Sequence, residues 1–246
     1  MTNVSSQEPI ETIEEAVKNE TTSPPRRQYR TIAFQVALFA AIGAFAVLTL
    51  LISSGPLFAV DIQITRVMQA VPLPIFAAAM KWISWPGFLP QSILIPVFVA
   101  LLLFRVGLRW EAVTALVAAF FPGLVNLLVK ELIRRPRPTA DLVEVFSALD
   151  SYSFPSGHVM FYTGFFGFLW FVTFALFKQS TPRTLLLLFL GSLIGLVGVS
   201  RIYLGHHWAS DILGAFLLGG LSLALVLRFY RWGKTRFFVR QPVASG

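Results

Sequence analysis

Residues 200–211 read Ser-Arg-Ile-Tyr-Leu-Gly-His-His-Trp-Ala-Ser-Asp and lie between two apolar runs, at about 184–200 and 210–227. A helix of about 20 apolar residues crosses a bilayer core of ~30 Å. The stretch therefore falls where one hydrophobic helix reaches water and the next one leaves it. It gathers Arg201, His206, His207 and Asp211 in a chain that is only 13% charged. If the segment opening around His207 is helical, Asp211 lies four residues on, on the same face. A carboxylate there can accept the Nδ1–H of an imidazole, fix its tautomer and leave Nε2 free to attack. Arg201 adds a planar fork of donors suited to phosphate oxygens.

Outward from this stretch, six apolar segments approach the length of a membrane span: about 31–53, 86–104, 112–129, 159–177, 184–200 and 210–227. With 56% of its 246 residues hydrophobic, the chain reads as an all-α, polytopic membrane helix bundle of six transmembrane helices. Between the first two, Asp61-Ile62-Gln63-Ile64-Thr65-Arg66-Val67-Met68-Gln69-Ala70-Val71 mixes apolar and polar residues ahead of Trp82 and Trp85. That pattern suits a helix lying in the interface, and an ordinary connecting loop reads equally well. Pro122 and Asn126 in the third segment suggest a kink and an interhelical hydrogen bond. Gly191-x-x-x-Gly195, with Gly198, predicts close packing within the bundle.

Residues 1–30 carry five glutamates and the Ser23-Pro24-Pro25 break, with too few apolar residues for a core. They are expected to form a disordered cytoplasmic arm. Residues 31–232 would be the six-helix membrane domain and 233–246 a basic cytoplasmic tail meeting anionic lipid. Arg26-Arg27 ahead of an apolar run resembles a twin-arginine export signal. However, 31–52 is long enough to span and lacks a small-x-small cleavage site, so a retained helix is expected. On this topology twelve lysines and arginines fall on the side of the termini and seven on the other, with Lys18 in the distal arm. The positive-inside rule then makes both termini cytoplasmic and turns residues 200–211 outward from a plasma membrane.

The net charge of +8 is spread between the apolar runs, which argues for topology rather than nucleic-acid binding. Cysteine is absent, so disulfides and thiolate metal sites are excluded. Three histidines without His/Glu metal spacing also argue against zinc.

Two more polar clusters fall on the outward side of the six-helix topology. One is Lys130-Glu131-Leu132-Ile133-Arg134-Arg135-Pro136-Arg137-Pro138, after the third span; the other is Pro155-Ser156-Gly157-His158, before the fourth. Lys130 precedes Arg137-Pro138 by six intervening residues, and Ser200-Arg201 precedes His207 by five and then Asp211 by three more. Together with Pro155-Ser156-Gly157-His158, this series resembles the type 2 phosphatidic acid phosphatase superfamily at all eleven motif positions. The motifs cover 130–211, and the general resemblance runs from about Asp61 to Arg228.

The resemblance implies a membrane phosphatase that needs no metal or cofactor. His207 would attack phosphorus and form a phosphohistidine, oriented by Asp211. His158 would protonate the leaving oxygen and later activate water. Lys130, Arg137, Ser156, Gly157, Ser200 and Arg201 would hold the phosphate, with Ser156 and the Gly157 N–H at a helix start. Arg134 and Arg135 read as lipid-headgroup cations or further phosphate contacts, and His206 as structural. The expected substrate is a lipid phosphate or diphosphate whose tail stays among the membrane lipids, with undecaprenyl diphosphate first. Phosphatidate, phosphatidylglycerophosphate or broad specificity comes next. A lipid phosphotransferase would use the same phosphohistidine, whereas a non-catalytic lipid binder has no use for His158, His207 and Asp211 together. Vanadate-dependent haloperoxidases share the anion cradle in the wider superfamily but are soluble.

Overall fold

The computed structural model describes residues 24–55 and 57–238, and among these every regular element is helical. In chain order they are α1 (Pro24–Ser54), α2 (Ala59–Gln69), α3 (Pro74–Ser84), a 3₁₀ turn (Trp85–Gly87), α4 (Gln91–Arg105), α5 (Arg109–Ile133), α6 (Gly157–Leu176), α7 (Thr181–Tyr203) and α8 (Ala209–Gly233). A π-helical turn, Lys234–Phe238, prolongs α8. The chain divides into two compact units, 1–43 and 44–246, with α1 crossing the division. Of the first unit only part of α1 is described, and every expected site residue lies in the second.

Among the described residues, five helices are long and apolar enough to cross a membrane: Thr31–Ser54, Arg109–Ile133, Gly157–Leu176, Thr181–Tyr203 and Ala209–Phe237. A sixth candidate is the pair α2 and α3, bent by 119° at the break between them. The second expected span corresponds to α4, whose 15 residues rise ~22 Å at ~1.5 Å each. That is short for the hydrocarbon core, and Pro96 interrupts it. The chain is a multi-pass membrane protein.

The first helix begins at Pro24 rather than near residue 31, because proline at a helix's first position gives up an N–H that has no partner there anyway. Residues 24–30 are thus helical and not a disordered arm; residues 1–23 lie outside the described part. At the other end the tail expected from 233 is helical to Phe238, and 239–246 lie outside the described part.

Helix α6 is the centre of its unit. Of its most apolar window 61% is buried, against 39% for α5 and 33% for α7 and α8. Its aromatic residues, Phe161, Tyr162, Phe165 and Phe168, pack on Ala115, Ala118 and Ala119 of α5, Val197 of α7, and Ile212 and Ala215 of α8. Small residues on the facing helices let the backbones approach, the main source of helix affinity in lipid, where apolar burial drives little. The approach is tightest at Gly164, where an added Cβ would lie 2.5 Å from the Ala118 carbonyl oxygen. There α6 loosens into a π turn, Tyr162–Phe166, of the kind often found next to functional sites. Of the glycines expected to pack closely on α7, Gly198 meets Ile212 and Phe216, whereas Gly195 faces open space. Large apolar residues pointing outward, such as Leu124, Leu128, Leu185, Leu188 and Leu225, are the lipid-facing surface.

Candidate active site

The end of α5, the loop 134–156, the start of α6, the end of α7 and the start of α8 meet at one end of the bundle. Helix α5 stops because Arg134 turns left-handed, at φ 51°, with its N–H on the Lys130 carbonyl. Lys130, one turn earlier, points inward and donates from Nζ to the Tyr152 carbonyl. The returning loop is tied down by Asn126, whose Nδ2 donates to the Pro155 carbonyl at 2.8 Å. The polar residue foreseen in the third span thus holds the Pro155–His158 turn in place.

His207 lies in the turn between α7 and α8 and is 2% exposed. Helix α8 begins only at Ala209, so a shared helical face does not bring His207 to Asp211. The contact comes from the cap: Asp211, in the first turn, accepts the Trp208 N–H on Oδ2 at 2.9 Å and folds the preceding residue back over itself. That leaves Asp211 Oδ2 3.6 Å from His207 Nδ1. Ser153 sits between them, with Oγ donating to Asp211 Oδ2 at 2.5 Å and lying 3.5 Å from His207 Nδ1. On the far side of the ring, Nε2 is 3.2 Å from Arg137 Nη1. A guanidinium only donates, so Nε2 accepts and the ring proton belongs on Nδ1, facing Asp211 and Ser153. This is the tautomer that leaves Nε2 nucleophilic.

Arg137 is held by Ser151 (Nε to carbonyl, 2.5 Å; Nη2 to Oγ, 2.8 Å) and by the His206 carbonyl at 2.6 Å. Its burial lowers the pKa of its guanidinium. Burial also pushes the His207 imidazole well below its ordinary pKa of 6.5, and the charges of Arg137, Lys130 and Arg201 push it further. A neutral His207 ringed by cations is what a nucleophile for a phosphate dianion requires.

Arg201, in the last turn of α7, is 0% exposed and stacks on the Phe88 ring at 5.0 Å. Its Nη1 donates to Ser84 Oγ at 2.6 Å, while Nε and Nη2 are buried with no hydrogen-bond partner among the described residues. Ser156 Oγ and His158 Nε2 are buried and unpartnered in the same way. Orphaned donors cost free energy unless a ligand satisfies them. His158 stands edge-on to Phe88, ring centres 4.5 Å apart, with Gly87 against its face.

Two expectations change. Arg135, read as a lipid or phosphate contact, is 1% exposed and spans two carboxylates, Asp211 Oδ1 at 2.6 Å and Asp61 Oδ2 at 2.8 Å. Proline on its C-terminal side and the left-handed Arg134 before it turn its side chain inward. Ser200 donates its hydroxyl proton to the Met80 carbonyl at 2.6 Å, so it fastens α7 to α3 and has no donor left for phosphate. Arg134 is exposed and pairs with Glu131 on its own helix turn. His206, buried at 3% exposure, bonds Ser147 Oγ through Nε2 at 2.8 Å, and burial holds its pKa down at about 3.

Sequence reasoning missed Ser153, Ser84, Gly87, Phe88 and Asp61. Only Asp61 carried a signal, as a carboxylate in a mostly apolar stretch. Among the described residues no group of three or more His, Cys, Asp or Glu is placed to hold a metal ion.

A helical membrane bundle that gathers three cations, two histidines and a buried carboxylate at one end defines a class, the membrane-embedded phosphatases. Residues 111–234 match the PAP2 superfamily, and the chain belongs to it. Phosphatidylglycerophosphatase B of Bacillus subtilis (strain 168) is 31% identical over 189 residues, 75% of this chain and 90% of that protein. The crystal structure of the first transmembrane PAP2 type phosphatidylglycerolphosphate phosphatase from Bacillus subtilis aligns with a TM-score of 0.71 at 27% identity, over 82% of this chain and 98% of that one. Aquifex aeolicus LpxE shares the fold, with a TM-score of 0.55 at 21% identity over 70% of this chain and 96% of that one. The chain is a lipid phosphatase of this family.

Proposed function

We propose that the enzyme hydrolyses phosphatidylglycerophosphate through a phosphohistidine on His207. The observation that carries the mechanism is the set of buried, unpartnered donors on Arg201, Ser156 and His158 beside a neutral His207. The phosphate would take Arg201 Nε and Nη2, Ser156 Oγ, the Gly157 N–H, Lys130 and Arg137, displacing the Arg137 contact from His207 Nε2. Nε2 then bonds to phosphorus as the ester P–O bond breaks, and His158 passes its proton to the leaving oxygen. In the second half His158 takes a proton from water, the hydroxide oxygen bonds to phosphorus, and the P–N bond breaks to restore His207. Lys130, Arg137 and Arg201 spread the charge of the equatorial oxygens, the part magnesium plays in kinases.

The choice of substrate rests on the Bacillus subtilis relative and the Bacillus subtilis crystal structure, both of which are named for phosphatidylglycerophosphate. Undecaprenyl diphosphate is the second reading: three cations, with Asp211 already matched by Arg135, exceed what a monoester dianion needs. The excess of lysine and arginine on the side of the termini supports an outward-facing site with both termini cytoplasmic. Activity is independent of added metal.

The test is phosphate release by the purified protein in detergent from phosphatidylglycerophosphate, phosphatidate and undecaprenyl diphosphate, in excess chelator, for wild type and His207→Ala. We expect the first lipid to be turned over fastest and the variant to be inactive. Wild-type turnover by the variant would remove the nucleophile assignment, and a strict magnesium requirement would remove the metal-free mechanism.

A further inference from the structure

Helix α2 was expected to lie in the interface, yet its polar face is turned into the protein. Asp61, Thr65 and Gln69 follow one another at intervals of four, and Asp61 and Thr65 are buried, at 1% and 0% exposure. Gln69 holds the Glu144 and Tyr203 carbonyls at 2.7 and 2.9 Å, and Arg66 holds the Leu142 carbonyl at 2.9–3.0 Å. The face therefore grips the loop 134–156 and the end of α7, and through Asp61 it also reaches the start of α8.

Both oxygens of Asp61 are engaged. Oδ1 accepts the Ser210 N–H at 2.9 Å, and Oδ2 accepts Ser210 Oγ–H at 2.5 Å and Arg135 Nη2 at 2.8 Å. Arg135 lies over the Phe58 ring at 5.3 Å and gives Nη1 to Asp211 Oδ1 at 2.6 Å and to Ser210 Oγ at 2.7 Å. One guanidinium is thus shared between a carboxylate that faces His207 and one that does not.

We propose that Asp61 is a positioning residue for phosphoryl transfer: by sharing Arg135 with Asp211, it keeps the carboxylate behind His207 fixed in place and negatively charged. The proposal rests on His207 being the nucleophile. A buried arginine must be matched by anions. Without Asp61 the fork would turn both nitrogens onto Asp211, as guanidinium–carboxylate pairs prefer. That would draw Oδ2 away from the Nδ1 side of His207 and neutralise the charge that stabilises the imidazolium-like ring as phosphorus bonds to Nε2. Asp61→Asn keeps an Oδ1 acceptor for the Ser210 N–H but removes the Oδ2 that accepts the Ser210 hydroxyl proton, loosening the first turn of α8, which carries Asp211.

The test measures kcat and KM for Asp61→Asn and Asp61→Glu in detergent, per folded molecule by size exclusion and thermal unfolding, beside His207→Ala. We expect Asp61→Asn to lower kcat about 10- to 100-fold, the cost of a misplacement near 1 Å, with KM changed less than about threefold. Asp61→Glu, which keeps the charge, should recover at least a tenth of wild-type kcat. The acid limb of kcat/KM should move to lower pH in Asp61→Asn, because a less negative Asp211 supports a protonated His207 less. The groups around that ring are Asp211, Arg137, Lys130, Arg201, His158 and His206, with Arg135 behind Asp211, and none of them is substituted in the variant. Wild-type kcat in Asp61→Asn overturns the proposal, as does a loss of folded protein alone with kcat per folded molecule and the acid limb unmoved. If His207→Ala also turned over normally, the nucleophile assignment would be at fault rather than the role of Asp61.

Discussion

Replacing Gly87 with alanine tests the placement of His158 without touching a charge. Gly87 closes the 3₁₀ turn after α3 and has no positive φ, so alanine meets no backbone strain there. Its Cβ, however, would lie 2.8 Å from His158 Cγ and 2.9 Å from Nε2, with Cδ2 nearer still. Carbon contacts are comfortable at ~3.5–4.0 Å, so the ring must retreat by about 1 Å or more to relieve its closest atom, Cδ2. It cannot retreat freely, because Phe88 stands against it with ring centres 4.5 Å apart. Shifts of this size at a group that transfers a proton cost up to about 100-fold in rate, or about 1.4–2.7 kcal/mol for a loss of 10- to 100-fold. Phosphate binding should survive, since Arg201, Arg137 and Lys130 are untouched. The assay is phosphate release under saturating and limiting lipid phosphate: kcat should fall about 10- to 100-fold while KM stays within about threefold. An alanine variant with wild-type kcat would mean that His158 is not held where the proton must be delivered.

Because burial and then Arg137, Lys130 and Arg201 hold His207 neutral well below pH 6.5, the acid limb of kcat/KM should fall below pH 6.5; a pH series from 4 to 9 showing a midpoint at or above 6.5 would contradict this. The same depressed values make stability pH-dependent. The contribution of His206 and His207 is full above about pH 6.5 and is lost as pH falls towards the folded pKa, about 3 for His206, so the unfolding temperature should drop through that window. Arg201→Gln removes the charge while keeping a donor for Ser84, and should cost about 10²- to 10³-fold in kcat/KM by phosphate release, as loss of an oxyanion donor does elsewhere. At the opposite end of the bundle, Tyr230 Oη donates to the buried carboxylate of Glu111 at 2.8 Å, which also pairs with Lys234 at 2.7 Å. Tyr230→Phe should therefore lose about 1.5–3 kcal/mol of stability, seen as a lower unfolding temperature, with kcat unchanged.

The bundle could be read from the sequence because lipid imposes a length and a composition on every span, and each of the six segments overlaps a helix, five of them long enough to cross. Helix ends were less legible. Pro24 at the start of α1 looks like a breaker when the residue alone is considered, and α4 is too short for its apolar run to announce it clearly. The site divides along a similar line. Lys130, Arg137, Ser156, Gly157, His158, Arg201, His207 and Asp211 stand in short, ordered spacings because each belongs to a turn that the backbone closes locally. What could not be read are the contacts that join those turns: Ser153 between Asp211 and His207, Gly87 and Phe88 around His158, Ser84 on Arg201. Arg135 shows why. Beside three other cations in the run 130–137, it has the same local signature as an interfacial arginine. Its burial is decided by Asp61, 74 residues earlier, and by Asp211, 76 residues later. A buried charge is permitted only by its partner, and nothing in the spacing of a sequence declares which distant carboxylate that partner is. For this protein the chemistry is therefore written in short motifs, while the field that tunes it is written across the whole chain, in single charged residues that look misplaced until the fold pairs them.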